Sequence, residues 1–233
     1  MRLYALVLFI LAVSMSLPAS AECTKTIATS VYNQYAFAEI GTVFYDKPVV
    51  QTDLAFGCGD MTYDLWNSSQ FSGPGAYGHR GAGDEFDLTA TFNHTYDTGF
   101  GPIAIEVSGA YWLVDNFSRM NDDYFAFHEQ IGRPFEFGSV TMMPYIRASE
   151  WIGLNGVDYW LARPGAVMSI KLDDTWAIGA DASLSRDLQR HRDFLNATTT
   201  MTHDFGDALY GYGSVSVAQH MSPVFGIGFR KTF

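Results

Sequence analysis

Pro223-Val224-Phe225-Gly226-Ile227-Gly228-Phe229-Arg230-Lys231-Thr232-Phe233 ends the chain. Successive side chains of an extended strand point to opposite sides. Phe225, Ile227, Phe229 and the terminal Phe233 therefore share one face, and Val224, Gly226, Gly228, Arg230 and Thr232 share the other. Lys231 interrupts the apolar face; close to a membrane rim its long stem can carry the amine into the headgroups.

The same period of two recurs upstream. Over 84–96, Phe86, Leu88, Ala90 and Phe92 alternate with Glu85, Asp87, Thr89, Thr91 and Asn93. Over 100–114, Ile103, Ile105, Val107, Tyr111 and Leu113 oppose Glu106, Ser108, Ala110 and Trp112. Over 175–185, Trp176, Ile178, Ala180 and Leu184 oppose Asp181, Ser183 and Ser185. Further candidates are 26–45, 49–57, 61–66, 123–132, 135–148, 157–171, 194–203 and 208–218. With 223–233 the expected count is about twelve strands, ten at the lower end. A tilted spanning strand needs roughly nine to eleven residues. The segment 61–66 is thus short, and 26–45 is expected to run on beyond the membrane.

The connections alternate in length. Cys58-Gly59-Asp60, Asp97-Thr98-Gly99, Arg133-Pro134, Leu172-Asp173-Asp174 and Asp204-Phe205-Gly206-Asp207 read as tight turns, whereas 67–83, 115–122, 149–156 and 186–193 read as long loops. Tight turns on one side and long loops on the other mark an all-β, antiparallel up-and-down transmembrane barrel, with the tight turns periplasmic. Asp46-Lys47-Pro48 and 219–222 are short where this topology asks for outer loops.

The N-terminus carries Arg2, the apolar run Leu3 to Val13 and Pro18-Ala19-Ser20-Ala21 before Glu22. That order is a secretory signal peptide over 1–21, too short to span a bilayer as a helix. It leaves 22–233 as one barrel domain. The chain is 48% hydrophobic, 15% aromatic and only 17% charged, as a barrel with lipid outside and water inside requires. Its formal charge of −11 argues against nucleic acid, whose phosphates call for clustered Lys and Arg. Cys23 and Cys58 fall on the same periplasmic side and, in an oxidising compartment, are expected to pair; two unpaired thiols are the alternative.

An amphipathic last strand ending in Phe resembles the closing strand of Gram-negative outer-membrane barrels, in which the terminal Phe, here Phe233, is part of the signal read by the barrel-assembly machinery. Four stretches also resemble the TorF family of small porins: Asp46-Lys47-Pro48-Val49-Val50-Gln51, Tyr63-Asp64-Leu65-Trp66-Asn67-Ser68, Gly83-Asp84-Glu85-Phe86-Asp87-Leu88 and the closing Phe-Arg-Lys-Thr-Phe. The resemblance covers the N-terminal half and the last strand. It implies an outer-membrane barrel with a channel role, and brings no catalytic residues, substrate or cofactor.

With apolar faces on lipid, Asp53, Asp64, Glu85, Asp87, Glu106, Arg147, Arg163, Lys171, Asp181 and Arg230 point inward. Counting from the turns puts Asp53, Glu106, Arg163 and Asp181 near mid-depth, and Glu85, Asp87 and Arg147 toward the outer rim. Asp53, Glu85, Asp87, Glu106, Arg147, Arg163 and Asp181 are the candidate pore-lining residues. They suit a porin-like channel for passive diffusion of small solutes or ions, with a mild cation preference. The competing reading is a narrow barrel filled by paired acids and bases, serving in adhesion or envelope structure. A soluble periplasmic all-β protein is a more distant alternative. A third class, an outer-membrane lipid hydrolase, would use His220 and Ser222, but Pro223-Val224-Phe225 follows them and a catalytic base needs an orienting acid. Neither enzyme activity, a metal nor a cofactor is expected. Trp112, Tyr111, Trp151, Tyr159, Trp160, Trp176, Tyr210 and Tyr212 are expected mainly in interfacial girdles, with Trp112, on a polar face, the exception.

Overall fold

The computed structural model describes residues 23–71, 84–114 and 123–233. The segment read as a signal peptide lies outside them, as do the centres of the loops at 72–83 and 115–122. Twelve long antiparallel strands form the wall: β1 (Cys23–Tyr32), β4 (Val49–Cys58), β5 (Met61–Gln70), β6 (Glu85–Thr98), β7 (Gly101–Val114), β8 (Tyr124–Gly132), β10 (Val140–Gly153), β11 (Asp158–Lys171), β12 (Trp176–Asp187), β13 (Arg192–Asp204), β14 (Leu209–Ala218) and β15 (Val224–Thr232). Three short strands fall between them in the chain: β2 (Tyr35–Phe37), β3 (Thr42–Tyr45) and β9 (Phe135–Phe137). Each wall strand pairs with its neighbour, and β15 pairs with β1 from Thr26↔Thr232 to Tyr32↔Gly226, so the sheet closes on itself. The backbone of Phe233 completes the seam, its N–H donating to the Lys25 carbonyl at 2.8 Å. Closure leaves none of the twelve wall strands at an open edge of the sheet, which is what a bilayer demands.

The alternation sorts the side chains. Phe225, Ile227 and Phe229 are exposed, as are Leu88, Ile146 and Leu195 on other strands. Val224 is buried on the inner face, opposite Ser216. An apolar outside and a polar inside on a closed barrel is an outer-membrane architecture. Glu129 breaks the pattern, lying exposed on the outer face between Phe127 and Ile131. Lys231 does not reach outward alone: its amine donates to the Asp207 carbonyl and stands 5.8 Å from the Phe233 ring centre.

Besides the strand read at 61–66, which runs on to Gln70 as β5, three segments depart from the sequence reading. First, 26–45 is not one strand. The wall strand stops at Tyr32, and the chain turns back as a hairpin of β2, the 3-10 turn Ala38–Ile40 and β3. The hairpin belongs to a separate small sheet. Asp46-Lys47-Pro48 is therefore only the end of a long outer connection. Second, the turn expected at Arg133-Pro134 is a break within an extended arm. Pro134 has no N–H to give the ladder, and the reversal comes after β9, at Gly138 with φ +62°. Third, the connections read at 149–156 and 186–193 shorten to 154–157 and 188–191, because β10 and β12 run further outward.

Cys23 and Cys58 sit directly opposite each other on β1 and β4 and are joined by a disulfide, Cα to Cα 4.3 Å. The bridge closes a separation of 35 residues, and loop-closure entropy values such a link at roughly 2–4 kcal/mol. Cys23→Ser should lower the urea-unfolding free energy of the refolded barrel by about that amount, read from tryptophan fluorescence. A reductant should do the same to the wild type and nothing further to the variant.

Candidate functional site

Strand pairing determines which side chains share the interior. Asp53 lies opposite Trp66, Trp66 opposite Asp87, and Asp87 opposite Trp112, so all four share the inner face. Glu85 stands one inward position nearer the outer end of β6. Asp181, Ser183 and Ser185 face inward from β12, and Tyr145, Arg147 and Trp151 from β10. Of the aromatics expected in girdles, Trp160 and Trp176 are exposed on the outside. Trp151 is 1% exposed inside the barrel. Tyr159 is opposite Trp151, while Tyr210 and Tyr212 are opposite Arg230 and Gly228 on the inner face. Alternation alone misplaces them because both faces of these strands carry large rings.

The hairpin enters this interior. Phe37 meets Trp112 and Trp151 edge-on, with ring centres 5.4 and 5.3 Å away. Together with Ile40 it packs on a small core of Ala110, Ala126, Trp151 and Leu161. Burying a Phe side chain contributes about 1.5–3 kcal/mol, and each edge-on pair about 0.5–1.5 more. On the neighbouring strands β5 and β6, Tyr35 lies 5.9 Å from the Trp66 ring and donates its hydroxyl to Glu85. Burial, and then the Glu85 and Asp87 carboxylates, hold the Tyr35 phenol well above its usual pKa, so it stays a donor. The turn at 38–40 rests on the inner faces of β12, β13 and β14.

At the inner reach of the hairpin, Glu39 is the centre of an ion-pair chain. Its carboxylate takes a hydrogen bond from Arg163 Nη1 and lies 3.9 Å from Arg147 Nη1. Arg163 also donates to Asp181 at 3.0 Å and to Ser183 at 2.7 Å. Arg147 donates to Glu106 at 3.0 Å and to Gln130 at 3.0 Å. Arg147 is thus level with Glu106 and Arg163 rather than nearer the rim: it pairs across strands with Arg163 and with Gln130, which pairs with Glu106. The difference in depth comes from the displaced turn, since β10 starts at Val140 and not at 135. Two guanidiniums side by side repel, and the three carboxylates around them offset this.

The geometry therefore brings Glu106, Arg147, Arg163 and Asp181 into one group and adds Glu39. It leaves Asp53, Glu85 and Asp87 on another arc of the wall. One oxygen each of Asp53 and Asp87 is buried without a donor among the described residues. A buried acceptor left unpaired costs about 1–3 kcal/mol. Two spaces of the interior are bounded by described residues. One, of about 350 Å³, is bounded by Asp53, Arg230, Tyr212 and the hydroxyls of β13 and β14. The other, of about 330 Å³, lies toward the end that carries the termini, beside Asp60, Asn93, Glu106 and Gln130.

His220 occupies the tight β14–β15 connection, exposed, with φ +67°. No hydrogen bond joins it to Ser222 or to an acid among the described residues. His79 and Arg80, in the long connection read at 67–83, lie outside the described residues.

No protein-family model matches the chain, and no curated protein matches it in sequence. The fold has well-matched solved structures. A KdgM porin superposes with a TM-score of 0.62 at 7% identity, over 89% of this chain and 99% of that one. A NanC porin gives 0.56 at 7% identity, over 87% and 98%. The translocator domain of the autotransporter NalP from Neisseria meningitidis gives 0.51 at 16% identity, over 100% and 96%. These likenesses show the fold alone, a closed antiparallel β-barrel that two porins and a translocator domain share.

Proposed function

We propose that this chain is an outer-membrane channel for passive diffusion of small solutes, narrowed by its own infolded hairpin. The observation that carries the reading is Glu39, held in mid-lumen between Arg147 and Arg163. It divides the interior without filling it: polar spaces persist beside Glu106 and Gln130 and, on another arc of the wall, between β13 and β4. The porin neighbours support the same reading, and so does the resemblance to the TorF family. In this view Asp53, Glu85, Asp87, Glu106, Arg147, Arg163 and Asp181 line the path, with Glu39 at its narrowest level. The barrel-assembly machinery and outer-membrane lipid are the partners such a chain requires.

The proposed ion preference follows from charge. Glu39, Glu106 and Asp181 outweigh Arg147 and Arg163 at the narrow level, and Asp87 adds a carboxylate elsewhere on the wall. Confined carboxylates favour cations, and at 0.1 M salt the screening length is still about 10 Å. Planar bilayers bathed in a salt gradient test both parts. Wild type should conduct with a reversal potential on the cation side. Glu106→Gln and Asp181→Asn should each move that potential toward zero, and Arg163→Gln should move it the other way. Identical potentials in all variants would remove these residues from the path. Silence of the folded wild type would favour the non-conducting barrel, whose support is the aromatic and ionic filling of the outer half.

A further inference from the structure

The space of about 350 Å³ is lined differently from the ion-paired part of the interior. Its wall runs over β13, β14, β15, β1 and β4, and carries Thr198, Thr200 and Thr202 facing Ser214 and Ser216. Every inward position along this part of β13 is a hydroxyl, at the strand repeat of about 6.8 Å between alternate residues. Across the neighbouring strands stand one acid, Asp53, and one base, Arg230. Their charges cancel. Large solvated ions gain little from such a wall, whereas a solute with many hydroxyls meets a donor and an acceptor at each step.

Two rings complete the wall. A β-carbon placed on Gly226 would come within 2.1 Å of the Tyr32 ring, and one on Gly228 within 2.7 Å of the Tyr212 ring and hydroxyl. The absent side chains let Tyr32 and Tyr212 lie close against the backbone of β15, where both border the space. Rings laid down in this way offer their faces to the interior, and a ring face accepts the C–H side of a pyranose through apolar and dispersion contact. The ion-pair group of Glu39, Arg147 and Arg163 faces a different arc of the wall.

The geometry points to a binding site for an uncharged sugar, of mono- to disaccharide size, between the hydroxyl row of β13–β14 and the tyrosines of β1 and β14. Its volume, about 350 Å³, is in the range of small-ligand pockets, roughly 300–1,000 Å³. Tyr32 and Tyr212 stack on the sugar ring, Thr198, Thr200 and Thr202 exchange hydrogen bonds with its hydroxyls, and Asp53 and Arg230 hold the ends of a diol. The site names the solute class for the proposed channel and rests on that reading only for its role in transport; binding itself is measurable without it.

The test is saturation-transfer NMR on the full barrel refolded in detergent, with sucrose as the probe. Polyethylene glycol of similar size and gluconate are the comparison solutes. Sucrose should receive saturation and the other two should not. Thr200→Val should weaken sucrose binding about threefold, the size of one net hydrogen bond, and Tyr212→Ala about tenfold, from lost ring contact. Thr199→Val, on the outer face of the same strand, should change nothing. Retained heat-modifiable gel mobility shows that each variant is folded. Equal saturation of sucrose and polyethylene glycol, or sucrose binding untouched by Tyr212→Ala in a folded barrel, overturns the assignment. Bilayer recordings separate the two ideas: conductance without sucrose binding removes the site and keeps the channel, and sucrose binding without conductance does the reverse.

Discussion

Excising the hairpin, by joining Asn33 to Lys47 through a short Gly-Ser linker, should raise single-channel conductance severalfold and flatten the discrimination between small and large solutes. Twelve strands enclose more room than the eight that side chains alone can fill. In this barrel the surplus is taken up by β2, β3 and the turn between them, which reach from the outer rim to Glu39. The wall does not depend on the hairpin for backbone pairing, because β1 and β4 pair along their whole lengths. The variant should therefore still fold and still shift on unheated gels. Conductance equal to wild type would mean that ions pass by a route the hairpin does not narrow. Loss of folding would mean that Phe37 and Tyr35 contribute more to the barrel than their contacts suggest.

Glu39→Ala should have the second-largest effect, and a different one. Removing one partner of a buried ion pair costs about 3–5 kcal/mol, because the other charge stays buried without compensation. Arg163 is 8% exposed at its side chain and keeps Asp181 and Ser183 as partners. The expected loss in urea-unfolding free energy is thus near the low end, about 3 kcal/mol. The channel should also become noisy, since the hairpin loses its ionic tether and keeps only its aromatic one. Glu39→Gln, which can still accept a hydrogen bond, should lose roughly half as much and stay quiet. Equal stability of all three proteins would show that the ion-pair chain is incidental to the hairpin's position.

Period-two alternation makes the wall legible from sequence. Phe86, Leu88 and Phe92 against Glu85, Asp87 and Asn93 are enough to orient β6, and Phe225, Ile227 and Phe229 orient β15. The interior charges on the wall are legible for the same reason. Glu39 is not. Its ion-pair partner Arg163 is 124 residues away, and no local pattern marks a strand that leaves the wall. The segment 26–45 reads as one long extended run because the hairpin strands alternate too. A signal is present in the connection lengths: Asp46-Lys47-Pro48 is too short for an outer loop, so the missing length has to lie upstream. The depth of Arg147 is hidden by Arg133-Pro134, where proline marks a break in the ladder and reads as a reversal.

The bridge between Cys23 and Cys58 bears on how the barrel is put together. A slip of one residue between β1 and β4 would turn every inward side chain of one strand toward lipid. In most hairpins a short turn prevents this, but here sixteen residues of inward-folding chain, 33–48, separate the two strands. Such a long connection tolerates neighbouring registers almost equally. The covalent link at the far end admits only the alignment in which Cys23 faces Cys58. It needs only these two strands and no contact with β15. The N-terminal pair then presents one fixed register at the seam where β15, ending in Phe233, closes the barrel.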